Sequence, residues 1–156
     1  QAQRSFYEGQ FQEGRVGQYA HRLFSSPGKQ DGLYWERADE KPLSPLGAAI
    51  AKASSEGYTL EKLKNRRTYY GYHFAIVTKQ GPEARGGAMS YIDQKGRMSN
   101  GFGVVAYPAK FGESGIMTFV AGPDGMIYQK NLGSNTESIA RKMTAINPGL
   151  SWLPVQ

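Results

Sequence analysis

IMTFVAGPDGMIYQK, residues 116–130, decides the fold class. Gly122, Pro123, Asp124 and Gly125 make a turn by their chemistry: proline presets φ, and glycine supplies a positive φ without strain. The flanking runs, 116–121 and 126–130, are rich in aromatic, β-branched and other apolar side chains. Two such runs around a tight turn predict an antiparallel hairpin. Toward the N-terminus, residues 102–107 read as a strand ending at Pro108, and residues 88–92 as another that stops at a turn over 93–96. In 70–77, Tyr70, Tyr72, Phe74 and Ile76 alternate with Gly71, His73, Ala75 and Val77. Both faces of that strand are partly apolar, so the pattern predicts cover on one face and shielding on the other. Toward the C-terminus, Ser134 and Glu137 stand at capping-box spacing and open a helix. Ile139, Met143 and Ile146 form its expected buried stripe, and Asn147, Pro148 and Gly149 end it. Trp152 is expected to fold the tail back onto the body.

The first 68 residues are mixed. Val16, Tyr19, Ala20, Leu23 and Phe24 recur at helical spacing and predict a helical turn or two over 16–24. Residues 25–45 read as a long ordered loop anchored by Leu33, Tyr34 and Trp35. Ser44 as N-cap and Pro45 at the first helical position open a helix that turns Leu46, Ile50 and Ala53 to one side and stops at Gly57. The basic segment 60–67 leads into the sheet. Sequential strands with short connections pair antiparallel. The expected fold is therefore α+β, an antiparallel meander of about four to five strands with helices on one face. It is read as a single domain over 1–156, with a helical and loop section in 1–68 and the meander with its closing helix in 69–156.

The chain has 156 residues, 20 glycines, 8 prolines and no cysteine. Disulfide scaffolds, thiolate metal sites and cysteine nucleophiles are thereby excluded. The net charge is +6, divided evenly: residues 1–70 carry 11 basic and 8 acidic groups, and residues 71–156 carry 8 and 5. An even spread reads as solubility and general attraction to anions, not as a nucleic-acid arm, so no specific nucleic acid is expected. No run of about 20 apolar residues exists to span a bilayer as a helix.

Catalytic signals are sparse. His21 and His73 lack partners at metal-ligand spacing, and no metal or cofactor is expected. There is no nucleophile elbow. Ser114 sits in a turn, where serine usually bonds locally. Gly81, Gly86, Gly87, Gly101 and Gly103 match no phosphate-binding template; Gly101 and Gly103 at a strand start read as a bulge or a close approach. Arg66 and Arg67, followed by Tyr69, Tyr70 and Tyr72, interleave bases with aromatics, the composition of an anion-binding platform. The residues singled out as ligand-binding are Arg66, Arg67, Tyr70 and Tyr72. Tyr34, Trp35, Tyr69, Tyr107 and Trp152 are singled out for an interface, because Tyr and Trp are favoured there.

Several long stretches carry a resemblance: 26–35, 44–47, 71–74, 101–109, 115–120, 124–130, and Leu132 with Gly133. Over nearly its whole length the chain resembles the bacterial "domain of unknown function 2950" family of envelope proteins. The resemblance implies an export signal and an additional N-terminal region in the precursor, of which this chain is the C-terminal part. It transfers no activity and no catalytic residue. Where family members often carry an acidic Asp-Gly repeat, this chain has residues 8–15 without one, so no cation site is carried over. The order of strands also looks like the meander of pilin and pseudopilin heads, a likeness of fold and not of function.

The leading expectation is a non-enzymatic module of the bacterial cell envelope, periplasmic or extracellular. It would act as a structural or accessory subunit of a bacterial surface or membrane-associated assembly, packed against other envelope or membrane-complex proteins or as a homo-oligomer. The rivals are an exported binder of an anionic ligand, a glycan or lipid head group, and a hydrolase using His73 with Ser114 or Asp124.

Overall fold

In the computed structural model the hairpin of residues 116–130 lies within the main sheet. Residues 1–10, 16–36, 44–66 and 68–156 are described. In chain order the elements are α1 (Ala2–Tyr7), β1 (Arg22–Phe24), β2 (Gly32–Tyr34), α2 (Gly47–Ser55), α3 (Leu60–Arg66), β3 (Thr68–Tyr69), β4 (Tyr72–Val77), β5 (Lys79–Gln80), β6 (Met89–Ser90), β7 (Gly103–Pro108), β8 (Met117–Ala121), β9 (Ile127–Asn131), a 3-10 turn (Gly133–Asn135), α4 (Thr136–Arg141) and β10 (Leu153–Pro154). The main sheet is antiparallel, six strands in the order β10-β9-β8-β7-β4-β3. The class is α+β.

Register explains how the sheet is used. Phe74 pairs with Ala106, which pairs with Phe119; Ala75 pairs with Val105, which pairs with Val120. Successive side chains alternate between faces. One face gathers Val77, Val105, Tyr107 and Val120 with Ala140 of α4 and Ile146 into a buried cluster. The other presents Phe74, Ile76, Val104, Ala106, Phe119 and Ala121. Its upper part is covered by the N-terminal half, where Phe6, Ala20 and Leu33 form a second cluster against Ile76. A third cluster, Ile50, Ala53 and Leu63, holds α2 to α3 beside Tyr69. Helices thus lie against both faces, not one. The two-sided apolar strand read from residues 70–77 is the sequence trace of that arrangement.

Several elements differ from expectation. Residues 88–92 do not enter the meander: β6 pairs only with β5, and β4 pairs directly with β7. Met89 and Ser90 are exposed there, so no buried face holds them in the main sheet. The predicted helix over 16–24 is replaced by a turn and β1, which pairs in parallel with β2 inside the stretch read as loop. Tyr70 and Gly71 are not strand: with φ of +48° and +79° they form the two-residue turn between β3 and β4. Two successive positive φ values match the twist of a right-handed hairpin. Ser44 does not cap α2; its side chain is buried, its carbonyl accepts from Gly47 N–H, and Leu46 is the N-cap residue. Ser134 does not cap α4 either. The chain enters α4 through the 3-10 turn, and Thr136 Oγ1 donates to Gly133 O at 2.6 Å. Thr136 and Ala140 face inward, while Ile139 is 42% exposed. The tail does return: Trp152 packs on the first cluster, Lys130 Nζ lies 6.0 Å from its ring centre, and β10 pairs with β9.

Candidate functional site

Two cavities lie on the sheet face that the N-terminal half covers. The first, about 470 Å³, is walled by α1, β1, β2 and α2 on one side and by Phe74, Phe102, Val104, Ala121 and Ile127 on the other. The second, about 440 Å³, continues over the strands themselves, lined by Tyr69, Tyr70, Tyr72, Phe74, Ala106, Phe119 and Val155 among others. Tyr69, Phe74, Val104, Ala121 and Ile127 line both, so the two form one trough. Each volume falls in the range of small-molecule sites.

The trough exists because two small residues stand among large ones. Ala106 lies between the rings of Phe74 and Phe119 in register, and Ala121 pairs with Val104 one step along. A sheet twists away from the short helices that cover it. α1 and α3 have six and seven residues, too short to cover strands of five and six residues across several neighbours.

Several of the polar atoms on its walls are bonded within the protein. Gln3 Nε2 donates to Ala20 O, and Ala20 N–H donates to Gln3 Oε1, both at 2.8 Å. Tyr69 OH donates to Ala49 O at 3.4 Å. Thr68 Oγ1 stands 3.2 Å from His73 Nδ1. Tyr70 OH donates to the Glu56 carboxylate at the end of α2. That bond, with some burial, pushes the Tyr70 phenol well above its usual range. Burial also raises Tyr72. The Tyr70 ring meets Tyr69 at 4.4 Å and Tyr58 at 5.5 Å between centres, which braces a non-glycine residue at positive φ.

Arg4 is the only charged side chain along either cavity among the described residues. It is exposed at the mouth on α1. Its Nη2 lies beside Gly125, 3.0 Å from where a Cβ there would stand. No carboxylate lies within ion-pair distance of it among the described residues. Asp124, on that same turn, accepts from Met126 N–H at 3.0 Å and Tyr128 OH at 3.1 Å.

The expected site residues divide. Tyr70 and Tyr72 line the second cavity. Arg66 is the last residue of α3, and its side chain and Arg67 lie outside the described residues. Of the expected interface residues, Tyr107 is a correction: it is 7% exposed and belongs to the core. Trp35 packs on the Phe6 cluster, Trp152 on the Tyr107 cluster, and Tyr34 and Tyr69 beside Ile50 and Leu63. For the hydrolase, Ser114 Oγ accepts from Lys110 N–H at 3.0 Å and donates to Lys110 O at 3.2 Å, a local turn bond. Ser114 abuts Gly71, two residues from His73. Asp124 lies past the opposite end of the strands: Ala121 pairs with Val104, which pairs with Ile76. Ile76 alone is roughly 10 Å along the strand from His73, beyond hydrogen-bond reach. Among the described residues no three His, Asp or Glu side chains gather to hold a metal, and no helix is long and apolar enough to cross a membrane. The acidic-repeat position falls partly at residues 11–15, outside the described residues.

Sequence reasoning missed the trough residues Phe74, Ala106, Phe119, Ala121 and Ile127, and Arg4 with them. A signal was present: four strands each carry apolar residues on both faces.

Fold and site together define an α+β domain with an apolar trough over one face of an antiparallel sheet. The chain belongs to the family described as "Protein of unknown function (DUF2950)", which matches residues 1–155. Comparison with curated proteins finds no match, and comparison with solved structures finds none.

Proposed function

We propose that the chain is a non-catalytic binding module of the bacterial cell envelope, seating an apolar group of another molecule in the trough. The trough carries this reading: two joined cavities, apolar-walled, of ligand-site size, on a face that the described residues leave partly open. Of the residues singled out for an interface, Tyr107 is in the core, and Trp35 and Trp152 are half-buried against the core clusters. An accessory role toward envelope partners remains part of the proposal, exercised through the trough. The export signal that the family resemblance implies supports the location.

A polarity-sensitive naphthylamine dye tests the reading. Its emission is expected to rise and shift to the blue with the native chain, and to do so far less with Ala121→Trp, which fills the junction of the cavities. Equal emission from a folded Ala121→Trp variant would place the apolar site elsewhere. Fractionation of the producing bacterium tests location: recovery in the cytoplasm alone would overturn the envelope reading.

A further inference from the structure

We infer that the trough takes a single-chain anionic amphiphile, its acyl chain lying along the sheet and its carboxylate or phosphate meeting Arg4 at the mouth. The inference rests on the proposed binding role and names its ligand class. Two observations on different elements converge. The sheet supplies a long apolar channel, continuous from the first cavity to the second through Phe74, Ala121 and Ile127. α1 supplies one guanidinium at one end, with no carboxylate in ion-pair distance among the described residues. That guanidinium lies beside Gly125 of the β8–β9 turn, its Nη2 3.0 Å from where a Cβ would stand.

The chemistry excludes the neighbouring classes. A glycan needs several polar groups converging on its hydroxyls, and the polar atoms of Gln3, Tyr69 and Tyr70 are already bonded within the protein. A fully apolar guest would leave the guanidinium idle. One chain with one anionic end satisfies both the channel and the cation, and a charge-assisted contact to Arg favours carboxylate or phosphate over a neutral head.

Binding of dodecanoate, dodecyl phosphate and dodecanol below their micellar concentrations, followed by calorimetry on the whole chain, tests this. Native protein is expected to bind the two anions at least about tenfold more tightly than dodecanol. The tighter anion identifies the head group, a fatty acid or a lysophosphatidate-type lipid. Arg4→Gln is expected to bring the anions down to the dodecanol affinity and leave dodecanol unchanged. Ile127→Glu changes a residue 48% exposed, so the fold should survive; it places a carboxylate at the junction and is expected to weaken the anions by at least about tenfold. Equal affinity of native protein for dodecanoate and dodecanol would overturn the inference and leave the trough reading standing. Failure of all three to bind would overturn both. Full anion binding by Arg4→Gln would also overturn the inference.

Discussion

Phe6→Ala isolates the contact that holds α1, and Arg4 with it, over the trough. Phe6 is 2% exposed and clusters with Ala20 and Leu33 against Ile76 of β4. Losing the ring forfeits about 1.5–3 kcal/mol of transfer energy. The cavity left behind raises the usual cost to about 3–5 kcal/mol. By itself α1 is a weak helix. It has six residues and no side-chain N-cap bond, and a helix shorter than about 12 residues is unstable alone in water. Its other ties include the paired Gln3–Ala20 bonds at 2.8 Å, the Gly17 N–H to Tyr7 O bond at 2.8 Å and the Tyr7–Tyr19 ring contact at 4.5 Å, which depend on the same docking. The expected result is a loss of about 3–5 kcal/mol in urea unfolding and a fall in Tm of about 6–20 °C. Native-state hydrogen exchange separates mechanism from magnitude. The Ala20 amide, bonded to Gln3, and the Glu8 amide, bonded to Arg4 O, should lose protection, while the β7 and β8 amides keep theirs relative to global unfolding. A loss below about 1 kcal/mol would refute the docking argument, because it lies outside the range for a buried aromatic. Unchanged protection at Ala20 would do the same.

Three further outcomes are expected. Asp93 accepts from Arg97 N–H, Ser99 Oγ, Lys95 N–H and Arg97 Nε, and the backbone bond from Arg97 leads in holding its carboxyl down to about 2. A folded pKa below the unfolded value of about 3.9 means that its contribution is whole above that value and lost as pH falls toward 2; urea unfolding of Asp93→Asn should show a deficit at pH 7 that closes between about pH 4 and pH 2, and a constant deficit would refute it. Thr118 Oγ1 is buried with no hydrogen-bond partner among the described residues, so Thr118→Val should raise stability by about 1 kcal/mol, and an equal loss would show that the hydroxyl is bonded. A Cβ on Gly115 would stand 2.1 Å from Tyr72 OH, so Gly115→Ala should cost about 1–3 kcal/mol in thermal unfolding, with Tyr72→Leu in the same chain returning part of it; a neutral Gly115→Ala would refute the close packing.

Strong turn chemistry made the β8–β9 hairpin legible, because residues 122–125 restrict the backbone whatever surrounds them. Residues 102–107 were legible for a similar reason, and the close approach read at Gly101 and Gly103 holds: a Cβ would stand 2.9 Å from Tyr91 and 2.6 Å from Val77. Residues 88–92 do hold a strand, β6, but it pairs with β5 outside the main sheet, and a short apolar run does not encode which strand it will pair with. The 16–24 segment was misread because Leu23 and Phe24 suit a strand as well as a helix, and its pairing partner lies in a stretch that read as loop. The helix starts were misread at their caps, since serine caps only when its hydroxyl can reach the first free N–H groups.

Local chemistry alone determined that this chain folds as α+β, that its second half is an antiparallel meander, and that no thiol chemistry takes place on it. Turn residues and alternating side chains act within a few positions, so they can be read without knowing the fold. Tertiary structure decided which face of the sheet was filled. Phe74, Ala106 and Phe119 are far apart in sequence, and only strand register sets a small side chain between two rings to open a channel. It also decided that Tyr107 and Trp152 belong to packing, and that a guanidinium from α1 stands beside a turn more than a hundred residues away.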